Sequence, residues 1–227
     1  MTARVTSDGD LLPQRGSELA FDRLAPAAGA AVDLRDLEHD VLLFVARGGG
    51  TLGEDVLAPG TAALVLAGED ATLVAGGGGL EAVRVTVGSG TDLHAPMGSR
   101  ERVVEIAHVE PGTATGSRSF QMLFGPHNGS TRATMFVGYI PPGKAPWHYH
   151  LYDEIVWIWQ GVGRYHLGDT VEELPAGAVF RITPREVHIV ENRSSDRELA
   201  VLGIFTPAGS PSAAYLLPGV AASYAIA

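Results

Sequence analysis

The sequence contains no cysteine, so disulfides, thiolate metal sites and thiol nucleophiles are all excluded. It carries a single lysine, Lys144, among 16 basic residues, and 26 acidic residues bring the formal charge to −10. That balance excludes the basic footprint by which nucleic acid or an anionic membrane surface is held. Long apolar runs are missing as well. None reaches the ~18 residues of a membrane-crossing helix. The start, MTARVTSDGDLLPQRG, has no apolar stretch ahead of a small-residue cleavage site. A cytoplasmic protein with a small-molecule partner is the expectation. Helical periodicity is scarce too, which leaves β structure.

What is present agrees. A chain of 227 residues is long enough for one or two domains with a sizeable core. Its 29 Gly and 14 Pro punctuate short runs rich in Val, Leu, Ile and Phe, the pattern of an all-β sandwich or barrel. An irregular arm over residues 1 to about 20 precedes VLLFVA (41–46), TAALVLA (61–67), ATLVA (71–75) and EAVRVTV (81–87). The glycine runs at 48–50 and 76–79 lack the Lys-Ser or Lys-Thr of a phosphate loop, so hairpin turns are expected there. After GSGTDLHAPMGSRERVV, strands resume with VVEIAHVE (103–110). SFQMLFG (119–125) and ATMFVGYI (133–140) follow, joined through Asn128-Gly129, a two-residue hairpin signal.

The chemistry concentrates in GKAPWHYHLYDEIVWIWQG, residues 143–161, which holds His148, His150 and Glu154; His188 follows in a later run. Imidazole and carboxylate suit zinc, copper, iron or nickel, and carboxylate extends the range to manganese. Residues two apart on a strand face one side, so His148 and His150 point inward together, and Glu154 rejoins them after the turn at 151–153. Continuing by twos gives Val156 and Ile158 as an apolar wall. Trp157 and Trp159 face the other way, into sheet packing or a subunit interface. Asp153 is an alternative carboxylate, aimed away from the Glu154 face. Arg181, Tyr139 and Gln121 are further candidates for the cavity. His39, His94, His108, His127 and His166 read as ordinary surface or core histidines.

The two halves look like copies of one unit. The offset that sets Gly60 on Gly177 also sets Glu69 on Glu186 and Ala71 on His188, and residues 31–37 supply no His pair. The N-terminal copy is therefore expected to hold no metal.

These residues resemble the cupin family. Its first motif is matched by Gly143, His148, His150, Glu154 and Gly161, with the first spacer one residue short. Its second is matched by Gly177, Pro184, His188 and Asn192, although Pro184 sits one place late and Arg185 occupies a common glycine position. The resemblance implies two double-stranded β-helix (jelly-roll) barrels in one chain. A degenerate N-terminal unit would span 1–88, a linker 89–104, and a metal-binding unit 105–227 with an apolar tail. It implies one divalent ion per chain, iron, manganese, zinc or nickel, held by His148, His150, Glu154 and His188, with Glu154 also moving a proton. Two-domain cupins include 5-deoxy-glucuronate isomerases, quercetin dioxygenases and oxalate decarboxylases, the last typically with metal in both halves. A metal-dependent dioxygenase or sugar/keto-acid isomerase acting on a small oxygenated substrate is expected; the alternative is a non-catalytic binding or sensing barrel. A homodimer with the tail from Tyr215 to Ala227 swapped onto its neighbour and a monomer with a tucked tail read alike.

Overall fold

A computed structural model describes Thr6 and residues 17–114 and 117–216. The N-terminal half contributes β1 (Leu19–Leu24), β2 (Ala31–Asp33), β3 (Asp40–Leu52), β4 (Asp55–Leu57), β5 (Thr61–Val65), β6 (Thr72–Val87) and β7 (Val103–Glu105). They make one antiparallel sheet in the order β1-β6-β3-β5-β7, with β2 on β6 and β4 on β3. Because β3 and β6 are long and bend, the sheet curls around its own apolar filling, which includes Leu43, Leu52, Leu73 and Leu80. Among the described residues there is no α-helix, and no helix long and apolar enough to cross a membrane.

Those bends correct one expectation. The glycine runs are not hairpin turns but lie inside β3 and β6. Between Gly48 and Gly50 the partner on β6 jumps from Leu80 to Ala75, so residues 76–79 bulge out of the ladder. The two backbones are pressed together there: a Cβ on Gly48 would stand 2.3 Å from the Gly79 carbonyl oxygen, and one on Gly50 2.2 Å from that of Val74. Only glycine tolerates that approach.

The C-terminal half contributes β8 (Gly112–Thr113), β9 (Ser119–Phe124), β10 (Thr134–Ile140), β11 (Gly143–Lys144), β12 (His148–Tyr149), β13 (Asp153–Gln160), β14 (Gly163–Leu167), β15 (Thr170–Leu174), β16 (Val179–Ile182), β17 (His188–Asn192), β18 (Leu199–Thr206) and β19 (Tyr215–Leu216). One sheet runs β16-β13-β18-β10-β9-β8; the other runs β15-β14-β17-β12-β19, with β11 on β17. Between them lie Val156, Ile158, Tyr165, Phe180 and Val190, so the expected wall of Val156 and Ile158 is in place. The Asn128-Gly129 pair does not close a two-residue hairpin. Asn128 instead ends a 3-10 turn over Pro126–Asn128, accepting a bond from the Gly125 amide and donating to the Leu123 carbonyl and to Glu101. Its side chain organises a wider loop, an option that Asn has in place of a tight turn. In the run 103–110 only Val103–Glu105 is strand. It pairs with β5, inside the N-terminal sheet.

A third apolar layer joins the halves. Alternate residues of β1, β3, β5 and β6, such as Phe21, Phe44 and Val85, pack on Met135, Ile155, Trp157 and Ile204 from the sheet containing β13. Trp159 meets Phe44 edge-on at 5.0 Å. Both tryptophans therefore serve packing between sheets of the same chain. Two buried aspartates flank this seam: Asp40 faces Arg132 at 3.3 Å, and Asp153 accepts from Ser17 and, in a two-pronged pair at 2.6 and 2.7 Å, from Arg181. The expected arm and tail lie largely outside the described residues; Thr6 bridges to Val179, and Tyr215–Leu216 pairs with β12.

Candidate metal centre

Two turns that cross from one sheet to the other, β12 to β13 and β16 to β17, bring the four singled-out side chains to one place. His148 sits on β12 and pairs directly across from His188, the first residue of β17. His150 lies just past β12, and Glu154 is the second residue of β13, on the opposite sheet. The turn before His188 is tied to this strand, since the Arg185 amide donates to the His150 carbonyl at 2.7 Å. Glu186 braces it by accepting from Tyr165 and Thr183 at 2.6 and 2.8 Å. All four side chains are buried and line one cavity of about 90 Å³. Ring centroids of His148 and His188 are 4.4 Å apart, and those of His150 and His188 are 5.0 Å apart.

The histidines share one hydrogen-bonding pattern. Each places Nδ1 against a backbone carbonyl two residues away: His148 on Pro146 at 2.9 Å, His150 on Tyr152 at 3.3 Å, His188 on Glu186 at 2.8 Å. A carbonyl can only accept, so Nδ1 carries the proton and Nε2 is left with its lone pair, the tautomer a metal needs. Burial reinforces neutrality. It pushes His148 down to about 4, with the nearby Arg118 charge adding to the effect, and His188 well below its ordinary value, helped by His148.

His150 Nε2 is buried without a hydrogen-bond partner, although Glu154 Oε2 stands 3.0 Å away. The contact has the length of a hydrogen bond but not its direction. Two lone-pair-bearing atoms held that close out of water repel unless a cation joins them. Among the described residues no three His, Asp or Glu side chains already stand at metal-holding geometry. The residues therefore fit an ion by tautomer, burial and donor type.

Residues 135–205 match the family model of the cupin domain. Among curated proteins no match is found. Among solved structures, the chain is similar to a mutant of Bacillus subtilis oxalate decarboxylase, with TM-score 0.71 and 15% identity over 89% of this chain and 72% of that one. The formate complex of Lactobacillus farciminis oxalate decarboxylase gives TM-score 0.72 and 14% identity over 91% of this chain and 81% of that one. A Bacillus subtilis oxalate decarboxylase studied for its Mn(II) centres gives 0.71 and 16%, over 94% and 77%. At such identities the likeness is one of fold. The all-β architecture is the cupin fold.

The remaining candidates divide. Asp153 and Arg181 are paired with each other at the seam, on the face away from Glu154. Gln121 donates to the Ile106 and Val109 carbonyls and accepts from Tyr139, so it braces a loop. Tyr139 borders the cavity. Asn192 of the second motif bridges the Ile140 and Arg197 carbonyls, both at 2.7 Å. His166 pairs with Glu191 at 2.7 Å, and none of the other four histidines lines the cavity.

Sequence reasoning missed Tyr152, Phe136, Gly203 and Arg118. Tyr152 is stacked between His150 and Phe205, at 4.1 and 3.9 Å. Gly203 had a readable signal, a glycine inside the apolar strand LAVLGIFT. A Cβ there would meet the Phe136 ring at 2.4 Å and Glu154 Oε1 at 2.7 Å. Arg118 gave none, because it comes from the loop ahead of β9, far from the motif in sequence.

Proposed function

We propose that the second of two cupin-type units in this chain is a metal-dependent enzyme site acting on a small oxygenated substrate. His148, His150 and His188, through Nε2, and Glu154, through its carboxylate, would hold one divalent ion. The observation that carries the reading is the shared tautomer: three buried imidazoles whose Nδ1 atoms are committed to backbone carbonyls, leaving three Nε2 lone pairs in one cavity. Such an ion supplies Lewis acidity toward a carbonyl, enediol or carboxylate oxygen, or a site for dioxygen. Three neutral nitrogens and one carboxylate admit manganese or iron, and the Mn(II) centres of the similar oxalate decarboxylase make manganese the first metal to test.

The chain's own residues would do the rest. Glu154, with Oε1 beside Gly203 and Oε2 toward His150, would take or return a proton beside bound substrate. The Tyr152 hydroxyl stays protonated, since burial, with Glu154 beside it, pushes its pKa up. It is a donor. The apolar walls from Val156, Ile182 and Val201 keep bulk water away and strengthen each polar contact. Oxalate decarboxylases add decarboxylation to the dioxygenase and isomerase chemistries considered from sequence. The test is turnover by protein stripped with chelator and reloaded with Mn(II) or Fe(II), against a panel of 2-oxo acids, dicarboxylates and sugars. Activity is expected to vanish with the metal and return with it. Turnover unchanged in excess chelator, or none with any metal, refutes the enzyme reading.

A further inference from the structure

His150 is held differently from the other two histidines. His148 and His188 donate from Nδ1 to their carbonyls at 2.9 and 2.8 Å, but His150 reaches the Tyr152 carbonyl only at 3.3 Å. Its ring is stacked as well. The Tyr152 ring lies 4.1 Å from the His150 imidazole and 10° from parallel to it, and Tyr152 also stacks on Phe205, at 3.9 Å and 21°. Phe205 is in turn backed by Phe136 at 6.0 Å. The column crosses between the sheets. His150 follows β12 in one sheet, whereas Phe205 belongs to β18 in the other and pairs directly across from Glu154. One buried ring, set in the turn between β12 and β13, therefore spans from the imidazole to the strand beside the carboxylate. The N-terminal half, which has no matching donor set, has no such column. Val41, the second residue of β3 as Glu154 is of β13, faces Thr86 on β6, and residues 37–40 include no Phe, Tyr or Trp.

Resting on the metal-site reading above, we propose that Tyr152 is a positioning residue for the metal centre: its ring, clamped between Phe205 and His150, fixes the plane of the His150 imidazole and so the direction of Nε2. The carbonyl of the same residue decides which nitrogen carries the proton, and the ring decides where the other one points. A stacked imidazole swings only by giving up contact over its whole face. Nε2 is held buried 3.0 Å from Glu154 Oε2 with no hydrogen bond of its own, so its direction rests on the stack and on the long Nδ1 bond. A ligand aimed before the ion arrives loses less rotamer freedom on binding, which raises affinity. This role belongs to the ring and not to the hydroxyl.

Tyr152→Phe keeps the ring and Tyr152→Leu removes it. Calorimetric titration with Mn(II) is expected to give wild-type affinity for Tyr152→Phe and a loss of about 10–100-fold for Tyr152→Leu. Phe205→Leu leaves Tyr152 in place without its backing; it should weaken Mn(II) by a smaller factor, and it carries the test if Tyr152→Leu does not fold. NMR relaxation of labelled histidine in the metal-free proteins separates aiming from general loosening. In Tyr152→Leu the His150 ring should reorient while the His148 and His188 rings stay ordered. Wild-type Mn(II) affinity in Tyr152→Leu, or in Phe205→Leu where it stands in, overturns the proposal. So does a loss in Tyr152→Phe as large as in Tyr152→Leu, or all three rings loosening together. Failure of the metal reading looks different: the wild type binds no Mn(II), yet Tyr152→Leu releases the His150 ring alone, which keeps the clamp and removes the ion.

Discussion

The two halves of the chain solve one folding problem in two ways. Their turns carry corresponding backbone hydrogen bonds. Gly60 donates to Val45 at 2.8 Å and Gly177 to Ile158 at 2.7 Å; Gly68 donates to Asp36 at 2.7 Å and Arg185 to His150 at 2.7 Å. These matches set Val41 beside Glu154, Asp36 beside His150 and Ala71 beside His188. Val41 and Ala71 are buried in the N-terminal cluster with Leu43, Leu52 and Leu73, so apolar filling occupies the space. Asp36 spends its carboxylate on the Glu38 and His39 amides, at 2.9 and 2.8 Å, and on the His39 ring. In the C-terminal half the same positions hold buried donors around an opening. The N-terminal skeleton stands without such donors.

Exchanging residues between the halves tests that contrast. The largest effect is expected from Val41→Glu, which places a carboxylate where the N-terminal filling offers no partner. It should cost about 3–5 kcal/mol in urea unfolding. Acid is next, on the metal-free protein. The His148 pKa is depressed in the folded state, so between about 6.5 and 4 the unfolded chain binds more protons and stability falls as pH falls. The loss from His148 alone is on the order of 3 kcal/mol by about pH 4, with His188 acting in the same direction. Hydrogen exchange should show β17 losing protection before β6.

The reverse exchange, Glu154→Val with His188→Ala, should lower metal affinity by at least about 100-fold while the melting temperature holds or rises, because buried polar groups give way to apolar ones. Equilibrium dialysis and a thermal scan read both. The smallest effect belongs to Arg185→Gly. Arg185 sits at φ 67°, a left-handed conformation that the matching Gly68 adopts at φ 83° without a Cβ. Copying the glycine should stabilise by up to about 1 kcal/mol in the same denaturant assay.

These matches also explain what was legible in the sequence. Period-two alternation placed Val156 and Ile158 on one face of the strand and Trp157 on the other, because strand geometry leaves no other choice. His148, His150, Glu154 and His188 were readable because they sit in two short stretches of sequence, 143–161 and 177–192. The glycine runs misled for a physical reason: composition alone does not separate a turn from a bulge where two long strands press together, and that depends on residues 48–50 meeting 74–80. Asn128-Gly129 misled because the Asn128 side chain found longer-range partners in Leu123 and Glu101. Arg118 and Phe136 were invisible as site residues because only the tertiary fold carries them to the cavity.

The central claim is one metal site, in the C-terminal half, built on the Nε2 atoms of three histidines. Elemental analysis of wild-type protein and of His188→Ala, both dialysed after loading with Mn(II), measures it directly. The account predicts one ion per chain in the wild type and nearly none in His188→Ala, with the two proteins melting alike once both are stripped of metal. Two tightly held ions per chain, or full occupancy in His188→Ala, would contradict it.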